Sequence, residues 1–225
     1  MTIETDPTAE ITYVHNVKAR LAVHHLRAGE GRPLLLLHGL AECTPPTVPA
    51  HLDGWSGPVV GLDFTGHGLS TIPAGGGYTS EVLMADVDAA LAAIGPATVL
   101  GRGLGAYIAL LIAGARPDLV RGAILADGPG LVGGGIRPAS PQVVPLDPHQ
   151  ISPPDPFALS ELSRDVRPPD YAVEFARMAL QSSGLDQPIA VASVVRPEWL
   201  AGVVAEFGVV ELPLVRAVAL YAALD

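Results

Sequence analysis

Short, wholly apolar runs that stop at a glycine or a polar residue punctuate the first half of the chain. Residues 33–37 end at His38-Gly39, residues 59–62 at Asp63, residues 98–100 at Gly101 and residues 123–126 at Asp127. Runs of this length and composition predict parallel strands buried on both faces. Upstream, residues 11–15 and 21–26 predict two more strands around a turn at 16–19. Between the buried runs lie helical patterns. Leu83, Val87, Leu91 and Ile94 recur at helical spacing across 80–94, with Ser80 as the expected N-cap. Residues 104–115 are apolar nearly all round, as befits a helix packed under a sheet. Strand and helix alternate, which predicts a doubly wound, mostly parallel sheet with right-handed crossovers.

The rhythm breaks at residues 128–156, a proline-rich stretch containing Gly133-Gly134-Gly135, read as an irregular excursion over the sheet edge that carries ligands. It resumes with a helix over 171–181, a strand over 189–195, a helix over 198–207, a short strand over 209–212 and a last helix over 214–224. No internal repeat interrupts this plan, and the 225 residues fit one domain, 1–225.

Composition narrows the classes. Hydrophobic residues make up 49% and charged residues 16%, a balance that suits a covered sheet and argues against disorder. The net charge of -10 disfavours nucleic acid or an anionic membrane as partner. The single cysteine, Cys43, excludes an intrachain disulfide. The polar N-terminus has no signal-peptide pattern and the apolar run 104–115 is too short to span a bilayer, so a cytoplasmic protein is expected. His24 and His25 alternate across a strand and cannot share one metal; no cysteine–histidine spacing suggests zinc, and no metal or cofactor is expected. The glycines from Gly101 to Gly105 lack the rest of a dinucleotide fingerprint.

Four segments carry a resemblance: Leu34-Leu35-Leu36-Leu37-His38-Gly39, Gly61-Leu62-Asp63-Phe64-Thr65-Gly66-His67-Gly68-Leu69-Ser70, Val99-Leu100-Gly101-Arg102-Gly103-Leu104-Gly105-Ala106-Tyr107, and Ala123-Ile124-Leu125-Ala126-Asp127. Each falls at a predicted strand end, in order and in register. Together they resemble the α/β-hydrolase family, clearly over 11–130 and in shortened form beyond. The resemblance implies an α/β-hydrolase fold with residues 131–186 as a reduced cap. It implies a nucleophile elbow at Gly101-Arg102-Gly103-Leu104-Gly105, where the family's serine position holds Gly103. It also implies an oxyanion hole built from the backbone N–H groups of Leu40 and Leu104.

The rest of the triad is missing from the expected places. In the family the base follows the last strand, yet none of the seven histidines lies beyond His149, and Glu211-Leu212-Pro213 runs straight into the last helix. Asp127 occupies a position some members use for the acid, and has no base to orient. Backbone donors survive such losses, so the old hole is expected to hold a ligand carbonyl or carboxylate, with Arg102 as charge partner or as half of an ion pair with Asp63 or Asp127. His38 lies near the expected pocket, whereas His67 belongs to a turn. Cys43 and Ser70 are read as structural.

Three functions compete: a non-hydrolytic pseudo-enzyme binding a small apolar ligand in the inherited cleft; a lyase, cyclase, isomerase or atypical hydrolase working through the hole with Asp127, His38 or Arg102; and an interaction module, for example a homodimer. An enclosed apolar pocket above Gly103 favours the first and convergence of Asp127, His38 and Arg102 the second. A filled cleft with an apolar patch near 171–181 favours the third.

Overall fold

The computed structural model describes residues 10–134 and 153–224. Its centre is one eight-stranded sheet. Strands β1 (Glu10–Asn16) and β2 (Ala19–Arg27) form an antiparallel hairpin at one edge. Strand β2 pairs antiparallel with β4 (Val59–Leu62). From there the sheet is parallel, through β3 (Leu34–Leu37), β5 (Ala97–Arg102), β6 (Val120–Ala126), β7 (Ile189–Ala192) and β8 (Val209–Glu211). The order is β1-β2-β4-β3-β5-β6-β7-β8, so the chain reverses direction across the sheet after β4, and the loops after the parallel strands lie at their C-terminal ends, the side where open α/β sheets bind ligands.

Alternation along β3 sorts its leucines between two cores. Leu35 and Leu37 join the larger core, and Leu34 and Leu36 the smaller one. The larger face is covered by α1 (Ser80–Ile94), α2 (Leu104–Ala115), α4 (Pro169–Ser182) and α5 (Glu198–Val204), with α3 (Pro156–Arg164) contributing Ala158 and Leu162. The other face is covered by α6 (Leu214–Ala222) through Ala217, Val218 and Tyr221, and by the turn bearing Leu52 and Trp55. Helix α2 is buried along almost its whole length. That is why its sequence has no polar face.

The structure redraws several boundaries. The N-cap of α1 is Thr79, whose side chain accepts from the Val82 N–H; Ser80 is buried and donates its hydroxyl to Asp165. Strand β7 stops at Ala192, and α5 stops at Val204. Helix α3 had no counterpart in the periodicity, although its start is marked: Asp155 caps the Phe157 N–H and Pro156 occupies the first turn. Within the stretch 131–186, α4 packs on α2 and α5 through Ala172, Ala176 and Ala179, as a helix of the flanking layer. The approach is close, since a Cβ on Gly114 of α2 would lie 2.5 Å from the Phe175 carbonyl oxygen. Most of the predicted excursion, 135–152, lies outside the described residues. No helix among the described residues is long and apolar enough to cross a membrane.

Candidate functional site

The turn from β5 to α2 has the shape the glycines predict. Gly103 sits at φ 59°, ψ -121°, a left-handed conformation that disfavours any residue with a Cβ. Its neighbours are tight as well. A Cβ on Gly101 would lie 2.3 Å or less from the Gly105 carbonyl group, and Gly105 packs against the Leu37 and His38 carbonyls. The result is a sharp strand-to-helix turn whose apex faces the loop following β6.

That loop fills the apex. A Cβ on Gly103 would overlap the Pro129 carbonyl oxygen and lie 2.6 Å from the Gly128 carbonyl carbon. The Pro129 oxygen accepts two backbone hydrogen bonds, from the Leu104 N–H at 2.8 Å and from the Leu40 N–H at 3.0 Å. These are the two donors the resemblance assigns to the oxyanion hole. Here they converge on one oxygen, as the fold prepares them to, and that oxygen belongs to the chain itself. Ala41, beside Leu40, is held at φ 68°, a strained conformation for alanine, of a kind that clusters at such loops.

The side chains expected to surround the hole do not converge. Arg102 points outward, its side chain 49% exposed, and pairs with Glu42 at 2.6 Å; neither Asp63 nor Asp127 is its partner. Glu42 was not singled out from sequence. Its second oxygen accepts from the Gly39 N–H at 2.9 Å, so it braces the loop carrying Leu40 from below while neutralising Arg102. Glu42 follows Gly39 by three positions, and that spacing was the available signal.

Asp127 turns away toward the loop after β7. It accepts from the Ser193 hydroxyl at 2.5 Å and from the Val194 and Val195 N–H groups at 2.7 and 3.1 Å. Burial pushes its carboxyl up, but these bonds and Arg196 outweigh burial and hold it below the ordinary range. The same bonds end β7 early. His38 is buried with both ring nitrogens engaged, Nδ1 with the Gly39 carbonyl at 2.8 Å and Nε2 with the Phe64 N–H at 3.1 Å. Nε2 accepts, so Nδ1 donates and the ring is neutral. Burial lowers its pKa.

The His67 ring lies tilted against that of His38 with centroids 5.0 Å apart, is buried, and has its pKa pushed down to about 3, first by burial and then by His38. Asp63, where burial alone would raise the carboxyl, is brought to about 2 by the bond from His24 and by further N–H donors, including Leu69. The His24 and His25 side chains reach Asp63 and Thr12, on opposite faces of β2.

Residues 32–191 match the family described as alpha/beta hydrolase fold. A curated relative, the (E)-2-((N-methylformamido)methylene)succinate hydrolase of Acinetobacter baylyi, is 33% identical over 106 residues, which cover 44% of this chain and 38% of that protein. The chain thus aligns with under two fifths of the length of that relative. Two solved structures share the fold across nearly the whole of both chains at 18% identity. They are a thioesterase domain from the curacin biosynthetic pathway (TM-score 0.65, covering 96% of this chain and 98% of that one) and N-formylmaleamic acid deformylase from Pseudomonas putida (TM-score 0.64, 94% and 99%). With the sheet order, the strand-to-helix turn at Gly103 and the paired donors of Leu40 and Leu104 in place, the chain is a member of the α/β-hydrolase fold family.

Proposed function

We propose that this member is a non-hydrolytic pseudo-enzyme that binds a small ligand bearing a carbonyl or carboxylate on an apolar body. One observation carries the first half of the proposal. The Pro129 carbonyl takes both oxyanion-hole donors, and its backbone fills the space a nucleophile at Gly103 would need. A substrate carbonyl therefore finds neither an attacking group nor a vacant hole, the two elements that lower the barrier for acyl transfer. The scattered orientations of Asp127, His38 and Arg102 also weigh against a lyase, cyclase or isomerase centred on them.

Similarity to a protein named as a succinate-derivative hydrolase supports an acidic small molecule as the ligand class. The ligand would sit beside the closed turn, toward the cap, and not in the hole. A test is turnover of p-nitrophenyl acetate and labelling by a fluorophosphonate probe. Both are expected to match the heat-killed control, and robust turnover or stoichiometric labelling would overturn the proposal. A second function, self-association, is favoured by the exposed side chains of Tyr171 and Met178, seven residues apart on one side of α4. Sedimentation analysis reads it directly.

A further inference from the structure

Arg102 is committed to Glu42, but another arginine near the turn is not committed in the same way. Arg167, between α3 and α4, is 5% exposed. Its Nη1 donates to the Leu131 carbonyl at 2.5 Å, and its Cζ lies 4.8 Å from the centroid of the Tyr107 ring. Leu131 comes two residues after Pro129, and Tyr107 is one turn into α2 from Gly103, so the guanidinium lies just inside the cap side of the closed turn. Trp199 Nε1 also donates to the Leu131 carbonyl, at 2.9 Å. The guanidinium is thus pinned by a ring on its face and a shared carbonyl at one end.

Its other edge is different. Nε and Nη2 are both buried and, among the described residues, neither has a hydrogen-bond partner. These are the two nitrogens whose N–H bonds run side by side and match the two oxygens of a carboxylate. Asp165 is the acidic side chain acting on it, and that carboxylate is already held by the Ser80 N–H and hydroxyl. Burial lowers the guanidinium to about 10, which still leaves it charged at neutral pH. Gly133 (φ 70°) packs directly against this edge, and a Cβ there would come within 2.7 Å of Nε. Buried polar groups are almost always satisfied, and a buried cation that has two parallel donors without a partner among the described residues is suited to a paired acceptor.

We infer that Arg167 is a carboxylate receptor, its Nε–H and Nη2–H taking the two oxygens of a small acidic ligand beside the closed turn. The inference deepens the ligand-binding half of the proposed function and rests on it. The side-on fork, and not charge alone, would provide the selectivity, because lysine offers a point charge without two parallel donors.

The test is a titration of 15N-arginine-labelled protein with sodium acetate, followed by NMR of the Nε–H signals and by thermal denaturation. Sodium chloride and acetamide at matched concentration are the controls. One Nε–H signal, absent in Arg167→Lys, is expected to shift saturably with acetate alone, with a parallel rise in Tm as acetate binds the folded form. Arg167→Lys is expected to weaken acetate about tenfold or more. A shift shared equally by chloride, no saturable shift in the wild-type protein, or an unchanged acetate response in Arg167→Lys would each overturn the inference. The wild-type titration needs no variant to fold. It is also independent of ester turnover, so a hydrolytic wild-type protein would sink the pseudo-enzyme proposal while leaving the acetate result to stand or fall separately.

Discussion

Replacing Gly103 by serine is the obvious attempt to restore a family nucleophile, and the structure predicts that it damages the fold instead. At φ 59° any L-residue carries strain of about 1–2 kcal/mol. The new Cβ also overlaps Pro129 O and lies 2.6 Å from Gly128 C, so the loop after β6 must retreat. Retreat breaks the bonds from Leu104 N–H (2.8 Å) and Leu40 N–H (3.0 Å) and leaves two buried donors to find water. Each such bond is worth about 1 kcal/mol net, and more if the donor stays dry. Together the variant should lose about 3–5 kcal/mol. For a chain of this size that lowers Tm by about 10 °C or somewhat more. Urea denaturation of the wild type, Gly103→Ala and Gly103→Ser measures it. The alanine and serine variants should fall together, since the Cβ and not the hydroxyl is at fault, and neither should hydrolyse activated esters. A serine variant within about 0.5 kcal/mol of wild type would refute the packing argument. Stable, active Gly103→Ser would refute the chemistry as well.

Other expectations follow from the same contacts. Arg102→Ala should change stability by less than about 1 kcal/mol, because its pair with Glu42 is substantially solvated. Glu42→Ala should cost more than Arg102→Ala, because it also strips the Gly39 N–H of its partner; chemical denaturation ranks the two. Asp127→Asn should loosen the 193–196 loop by about 1–3 kcal/mol, read as faster amide exchange at Val194 and Val195. Two groups should also withdraw stability in acid, one after the other. His67, neutral in the fold to about 3, stabilises above the unfolded histidine value of 6.5, and that contribution drains away as pH falls from 6.5 toward 3 because the unfolded chain protonates first. Asp63, depressed to about 2, stabilises above the unfolded carboxyl value of 3.8 and is lost between there and 2. Asp86, pushed up to about 6 by burial, works in the opposite sense and adds stability as pH falls from 6 toward 3.8, so the His67 contribution is read from the ring itself: an NMR titration in which His67 protonates near 6.5 would contradict its burial.

Much of the fold was legible because parallel strands and the helices beside them are local patterns. The apolar runs ending at His38, Asp63, Gly101 and Asp127 became β3, β4, β5 and β6, and residues 104–115 became α2 with both ends as expected. Glycine at 103 was legible for the same reason, since a single residue sets whether a turn carries a hydroxyl. Contacts between distant residues were not. Arg102 found Glu42 and not the aspartates at the neighbouring strand ends, because a long flexible side chain selects among partners by position in space. Ser80 lost the cap of α1 to Thr79 because Asp165, 85 residues away, takes its hydroxyl. Asp127 looked like a displaced triad acid and is a brace for the loop after β7. Helix α3 escaped notice because only Ala158 and Leu162 are buried, too short a stripe to register as a period. The closing of the Pro129 carbonyl onto the Leu40 and Leu104 N–H groups was beyond any linear pattern. A carbonyl oxygen is present at every residue, and only folding decides which one two convergent N–H groups will hold. Sequence patterns specified the frame and a glycine at 103, whereas tertiary packing decided which backbone lies against that turn and which buried arginine has two nitrogens without a partner among the described residues.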